Sequence, residues 1–203
     1  MDASTLFAVI AFATVTSITP GPNNMMLLAS GVNHGFRASW PHMLGISIGF
    51  AVLLLATALG LGALMQQWPT LSLLLKTGGG AYLVWMAWRL WQAEAPRGTE
   101  TAAAGHTRPR MGFWAAAAFQ WVNPKAWMMA LAAVAGFLVP GAPWWSGLLL
   151  ALVCGLVNLP CIALWAYAGA RLARQLADPA RRRVFNAVMA VLLLASLWPM
   201  LRA

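Results

Sequence analysis

The residues of this chain best suited to chemistry sit in two short clusters. The first is Thr19-Pro20-Gly21-Pro22-Asn23-Asn24, and the second is Asn123-Pro124-Lys125. Both interrupt long apolar runs. A proline removes a backbone donor and clashes with the preceding helical turn, so two prolines around a glycine stop a helix. Backbone groups freed inside an apolar run need another partner: protein, water or ligand. Asn23 and Asn24 follow at once, and their amides both donate and accept hydrogen bonds. A half-helix starting near Pro22 points bare amides at the break, and such ends attract anions, a carboxylate among them. Lys125 adds a cation about 14 residues into its run. An ionisable group at that depth is costly and marks function by default. Its chemistry would be to pair with a substrate carboxylate. The plainer alternatives are a kink packed by neighbouring helices and, for Lys125, a stem that carries the ammonium to an interface.

Other polar groups within the apolar runs carry weaker signals. Asn158 precedes Pro160, where another kink is expected; a packing role and a functional one stand side by side. Tyr82 follows Gly78-Gly79-Gly80, where helices approach closely, and its hydroxyl is a candidate for a cavity wall. Gly45 and Gly49 have the small-xxx-small spacing of helix packing. Lys76 lies near the start of its run, where snorkelling explains it. His34 and His42 flank a basic loop; they titrate near neutrality, but solvated loop histidines are the ordinary case.

The absences narrow the chemistry. The four acidic residues are Asp2, Glu94, Glu100 and Asp178, all in loops or at a terminus. No carboxylate is expected in the apolar runs to take a metal, a cationic side chain or a coupling proton. No Ser-His-Asp set, Cys/His metal spacing or phosphate-cradling glycine loop is present. Cys154 and Cys161 lie about 10 Å apart along one helix, too far for a disulfide. No metal and no cofactor are expected.

The elements that must position these residues are membrane helices. Of 203 residues, 61% are hydrophobic and 8% charged, against about 25% charged in a soluble domain. About 20 apolar residues cross a bilayer. Six runs meet that length: 4–33, 39–65, 70–91, 111–138, 144–170 and 184–201. The expected fold is all-α integral membrane, one transporter domain over 1–203 with a polar linker at 92–110. Strand-like alternation is absent, which argues against a β-barrel. The net charge of +9 lies mostly in loops, as the positive-inside rule predicts, and no nucleic-acid motif accompanies it. Arg37, then Arg89, Arg97, Arg108 and Arg110, then the arginines of 171–183 fall in alternate loops. That places these loops in the cytoplasm and both termini outside it. The twelve tryptophans fit an interfacial belt. The start Met1-Asp2 lacks a signal peptide's basic n-region.

The halves also echo each other. Each begins with a proline-broken run, and Met25-Met26 and Met128-Met129 follow the two breaks 103 residues apart. Three helices per half force the halves into opposite directions, the inverted-repeat plan of many secondary transporters. Repeat one is about 1–91 and repeat two about 111–203.

Thr19-Pro20-Gly21-Pro22-Asn23-Asn24, followed by Gly31, Gly35, Gly45 and Gly49, resembles the N-terminal signature of the LysE/RhtB superfamily of amino-acid exporters. Gly80-Ala81-Tyr82-Leu83 with Trp88, and Asn123-Pro124-Lys125-Ala126, resemble its third- and fourth-helix motifs. The resemblance covers nearly the whole chain. It implies a small bacterial inner-membrane protein of six helices that exports amino acids or their derivatives. Where many members have an aspartate after the second-helix glycines, this chain has Phe50. That departure argues against a cationic substrate.

The expectation is therefore a secondary exporter of a neutral or hydrophobic amino acid, or a close derivative. The substrate would meet Lys125, Asn23, Asn24 and Asn123 at the two breaks as the halves rock. A channel or a non-transporting membrane partner is the alternative. A membrane enzyme would need a cluster of titratable groups at one depth, which the sequence lacks. Helix faces rich in Ala and Gly permit a homodimer without demanding one.

Overall fold

A computed structural model describes residues 1–67, 69–92, 110–139, 141 and 143–195. Among these every regular element is helical. The first apolar run forms α1 (Ala3–Ile18) and α2 (Pro22–His34), bent by 59° at the break. A short 3-10 turn at Arg37–Ser39 leads into α3 (Trp40–Ala56). The helix then widens by one residue per turn at Thr57–Leu61, where Gly60 takes φ 116°, a value that disfavours any side chain. Next come α4 (Gly62–Gln67) and α5 (Pro69–Trp91). The fourth run divides into α6 (Phe113–Phe119) and α7 (Pro124–Phe137). The last two elements are α8 (Trp144–Leu172) and α9 (Pro179–Ala195).

The prolines act as their chemistry dictates. Pro22 and Pro124 each open a helix, where a missing N–H costs nothing. Pro160 instead lies inside α8, which runs on through it. Two helical stretches are long and apolar enough to cross a membrane, Arg37–Leu61 and Trp144–Leu172, and the bent α1–α2 pair makes a third if it counts as one span. Most of the linker, 93–109, and the end of the sixth run, 196–203, lie outside the described residues.

Glycines set the closest packing. α8 lies along α2, with Gly31 facing the carbonyl of Ala166 and Gly169 facing that of Leu28. A Cβ at either position would collide with backbone. Gly45 and Gly49 serve α3 in the same way against Phe113 and Ala117 of α6, as their spacing implies. Gly79 of α5 meets Val122, so the triple-glycine segment is a close approach. Cys154 and Cys161 are both free and buried on α8. The tryptophans Trp40, Trp91, Trp114, Trp144 and Trp145 expose their rings near helix ends, consistent with an interfacial belt.

Gly31→Val should cost about 1–3 kcal/mol by overpacking, while Gly136→Ala, whose new methyl meets open space, should be neutral. Thermal unfolding of the two purified variants would show a drop of several degrees in apparent Tm for the first and no drop for the second.

Candidate functional site

The two breaks meet. α1 ends at Ile18, and its last carbonyls have no helical partner. Side chains from three elements reach them. The Asn24 amide, from the first turn of α2, donates to the carbonyls of Ser17 (2.8 Å) and Thr19 (2.7 Å). The Trp165 indole, from α8, donates to Ile18 (3.2 Å). The Lys125 ammonium, from α7, donates to the Thr19 carbonyl (2.6 Å), the Thr19 hydroxyl (3.0 Å) and the Pro20 carbonyl (3.4 Å). The cation therefore lies at the negative end of the α1 dipole, where positive charge is favoured.

Gly21 makes this reach possible. A Cβ there would stand 2.7 Å from Cδ of Lys125. The second break is closed from its own side: the Asn123 side chain accepts the N–H of Lys125 (3.1 Å) and caps α7. A two-way amide pair joins the breaks. Asn23 donates to Gln120 Oε1 (2.9 Å), and Gln120 Nε2 donates back to Asn23 Oδ1 (3.2 Å). Gln120 also donates to the Ala116 carbonyl (2.9 Å) and is fully buried. Asn158 of α8 completes the set. It donates to the Ser17 hydroxyl (3.0 Å) and accepts from the Ser47 hydroxyl (3.1 Å), tying α1, α3 and α8 together.

These groups surround one small polar pocket. Phe50, Ala126, Met129 and Ile162 form its apolar wall. Its free space is about 20 Å³, room for about one water. An amino acid requires the pocket to widen. No carboxylate lines it among the described residues.

Most of the residues picked from sequence converge here: Gly21, Asn23, Asn24, Asn123, Lys125 and Asn158 line the pocket. Pro22 and Pro124 start the half-helices beside it, and Pro20 supplies a carbonyl to Lys125. The side-chain amides of Asn23 and Asn24 and the Asn123 carbonyl oxygen are engaged by the protein in this conformation, where the sequence assigned them to substrate. Tyr82 is elsewhere. Its ring stacks on Phe119 at 5.0 Å and on Trp85 at 5.4 Å, beside a second cavity. Sequence reading missed Gln120, Ser17 and Ser47. Gln120 sits three residues before the second break, and its polarity in an apolar run was the available signal. The two serines gave none, since serine is common in helix packing.

The second cavity is larger, about 550 Å³, and opens at the end of the molecule that carries Arg89, Arg110 and His34. Met26 lines it, one turn along α2 from Asn23 in the polar pocket. His42 lines it too. The expectation of a solvated loop histidine fails: His42 belongs to the first turn of α3 and is 2% exposed. The 3-10 turn at Arg37–Ser39 shortens the loop and carries His42 inward. Lys76 lies in α5, with its side chain outside what is described.

A polar pocket at two crossed helix breaks is the kind of site that membrane transport proteins use. The family of LysE type translocators matches residues 14–196, and the chain belongs to that family. Among curated proteins, the cysteine/O-acetylserine efflux protein of Escherichia coli O139:H28 (strain E24377A / ETEC) is 34% identical over 199 residues, 96% of each chain. That of Escherichia coli (strain K12) is 34% identical over 198 residues, 95% of each chain. That of Klebsiella pneumoniae subsp. pneumoniae is 32% identical over 174 residues, 83% of this chain and 84% of its own. No solved structure matches.

Gln120→Leu should strand the Asn23 amide and cost about 1–3 kcal/mol. Asn23→Leu should cost a similar amount, and the double variant little more than either, because the pair is lost once. Unfolding of the three purified variants gives the coupling; strict additivity would show that the pair is not coupled.

Proposed function

We propose that this protein exports a neutral amino acid, or a close derivative, from the cytoplasm. The observation that carries the reading is the Lys125 ammonium, held among the described residues by uncharged oxygens where the two helix breaks meet. A cation with neutral partners is ready to exchange them for a carboxylate, because a charge-paired hydrogen bond is roughly twice as strong as one between neutral groups. Both α2 and α7 start at these breaks, and the positive ends of their dipoles add to the attraction for an anion.

Substrate charge follows from the lining. The carboxylate would go to Lys125. The ammonium would be left with amide and hydroxyl oxygens of Asn23, Gln120, Asn158 and Ser17. Without an acidic side chain, a second positive charge on the substrate has no counter-charge. Phe50 forms part of the wall, at the position where the family resemblance implies an aspartate, and its ring favours a neutral substrate side chain. The cysteine and O-acetylserine in the relatives' names are small and net neutral, and agree with that choice.

The proposed topology has six spans in two inverted halves, in the bacterial inner membrane, with the arginine-bearing end in the cytoplasm and both termini outside. The substrate enters at that end and passes along α2 to the pocket. There it displaces the Thr19 and Pro20 carbonyls from Lys125. The halves then rock so that the pocket opens outward. The drive is an ion gradient or the substrate's own gradient, since no nucleotide-binding motif is present.

Counterflow in proteoliposomes tests this. Vesicles loaded with each unlabelled amino acid, with O-acetylserine in the panel, should take up the matching label saturably for a few neutral substrates and not for lysine or arginine. Lys125→Ala should reduce the rate at least tenfold. Normal counterflow by well-inserted Lys125→Ala protein would remove Lys125 from the mechanism, and flux that never saturates would make the protein a channel.

A further inference from the structure

The polar pocket leaves the larger cavity unexplained. That cavity joins donors from four elements: His34 of α2, His42 of α3, Arg89 of α5 and Arg110 just before α6. Tyr82 is the other titratable group lining it, and no carboxylate lines it among the described residues. Two details indicate a built site rather than a stray basic rim. First, His42 is 2% exposed, and neither ring nitrogen has a hydrogen-bond partner among the described residues. A buried polar group left unpaired is costly, and His42 is one of the residues that line this cavity. Second, the exposed Arg89 is not left to wander: its guanidinium lies 5.2 Å from the ring centre of Trp85, itself a wall of the cavity. Stacking of this kind holds the planar fork in one orientation.

We propose that this cavity is a second binding site, at the arginine-bearing end, for the carboxylate of a small molecule. Arg89 takes the carboxylate as a two-pronged donor. His42, neutral, donates one N–H to the same group. The apolar side of the ligand lies against Met26, Met86 and Leu193. About 550 Å³ accommodates an amino acid or a larger derivative. Because Met26 is one turn from Asn23, a molecule held here stands about one turn of α2 from the polar pocket. Its use as the collecting site for export rests on the exporter reading; the binding itself does not.

The test is equilibrium dialysis of the purified full-length protein against labelled N-acetylglycine, a carboxylate without an ammonium, at constant ionic strength. Saturable binding is expected, competed by acetate and not by glycine methyl ester, which has the ammonium alone. Arg89→Gln and His42→Gln should each weaken it at least tenfold; Arg89 is exposed, so its variant should fold even if the His42 variant does not. Lys125→Ala, expected to slow transport at least tenfold, should leave this binding in place. The proposal is overturned by absence of saturable binding, by binding lost with Lys125→Ala and kept in Arg89→Gln, or by inorganic phosphate competing better than acetate, which would make the cavity a phosphate or lipid-headgroup site. The readout is binding, so it stands or falls whether or not the protein moves an amino acid.

Discussion

A helix that stops inside an apolar layer exposes carbonyl oxygens that water would otherwise take, and each one left bare costs several kcal/mol. The end of α1 meets this constraint with Asn24, Trp165 and Lys125, one side chain from each of three other helices. Much of the architecture follows from bringing those three together. α8 must lie against α2, which Gly31 and Gly169 permit. α7 must start beside the first break, and Gly21 leaves room for the lysine stem that bridges the two. Asn23 with Gln120, and Asn158 with Ser17 and Ser47, then hold the half-helices in register.

The same bonds make the site both stable and yielding. Lys125 is costly to bury, and carbonyl oxygens at a helix C-terminus offset only part of that cost. A ligand carboxylate offsets more. The groups that close the breaks are thus the groups with most to gain by changing partners. The pocket that remains is about 20 Å³, because the protein's own groups fill the space between the breaks. Differential affinity for a widened form is the only way a ligand shifts that balance. The two cavities differ in charge and size: the larger one is lined by two arginines and two histidines, the smaller one by a single lysine among amides and hydroxyls.

How much of this was legible in the sequence differs from element to element. Both breaks, the prolines that open α2 and α7 and the depth of Lys125 could be read directly, because proline chemistry and the rarity of charge in apolar runs are local facts. The packing role of Gly45 and Gly49 was legible for a similar reason: spacing alone puts them on one face. The pairing of Asn23 with Gln120 was not, because two amides 97 residues apart carry no mark of each other. For Tyr82 and His42 the sequence left the surroundings open. Tyr82 sits in a family-like motif yet points to the outer cavity, and His42 follows a basic loop yet is buried, because rotation about a helix axis decides which way a side chain faces.

The sequence by itself determined that the chain is helical, apolar, broken at two places and armed with one deep cation. Those properties depend on residue type and near neighbours. Only the tertiary structure decided that the two breaks close each other, that the asparagines expected for substrate are engaged by the protein in this state, and that a buried histidine and two arginines share a separate cavity. Such facts depend on helix rotation and on contacts between separate helices, some between residues more than 100 positions apart, which packing sets and local chemistry does not.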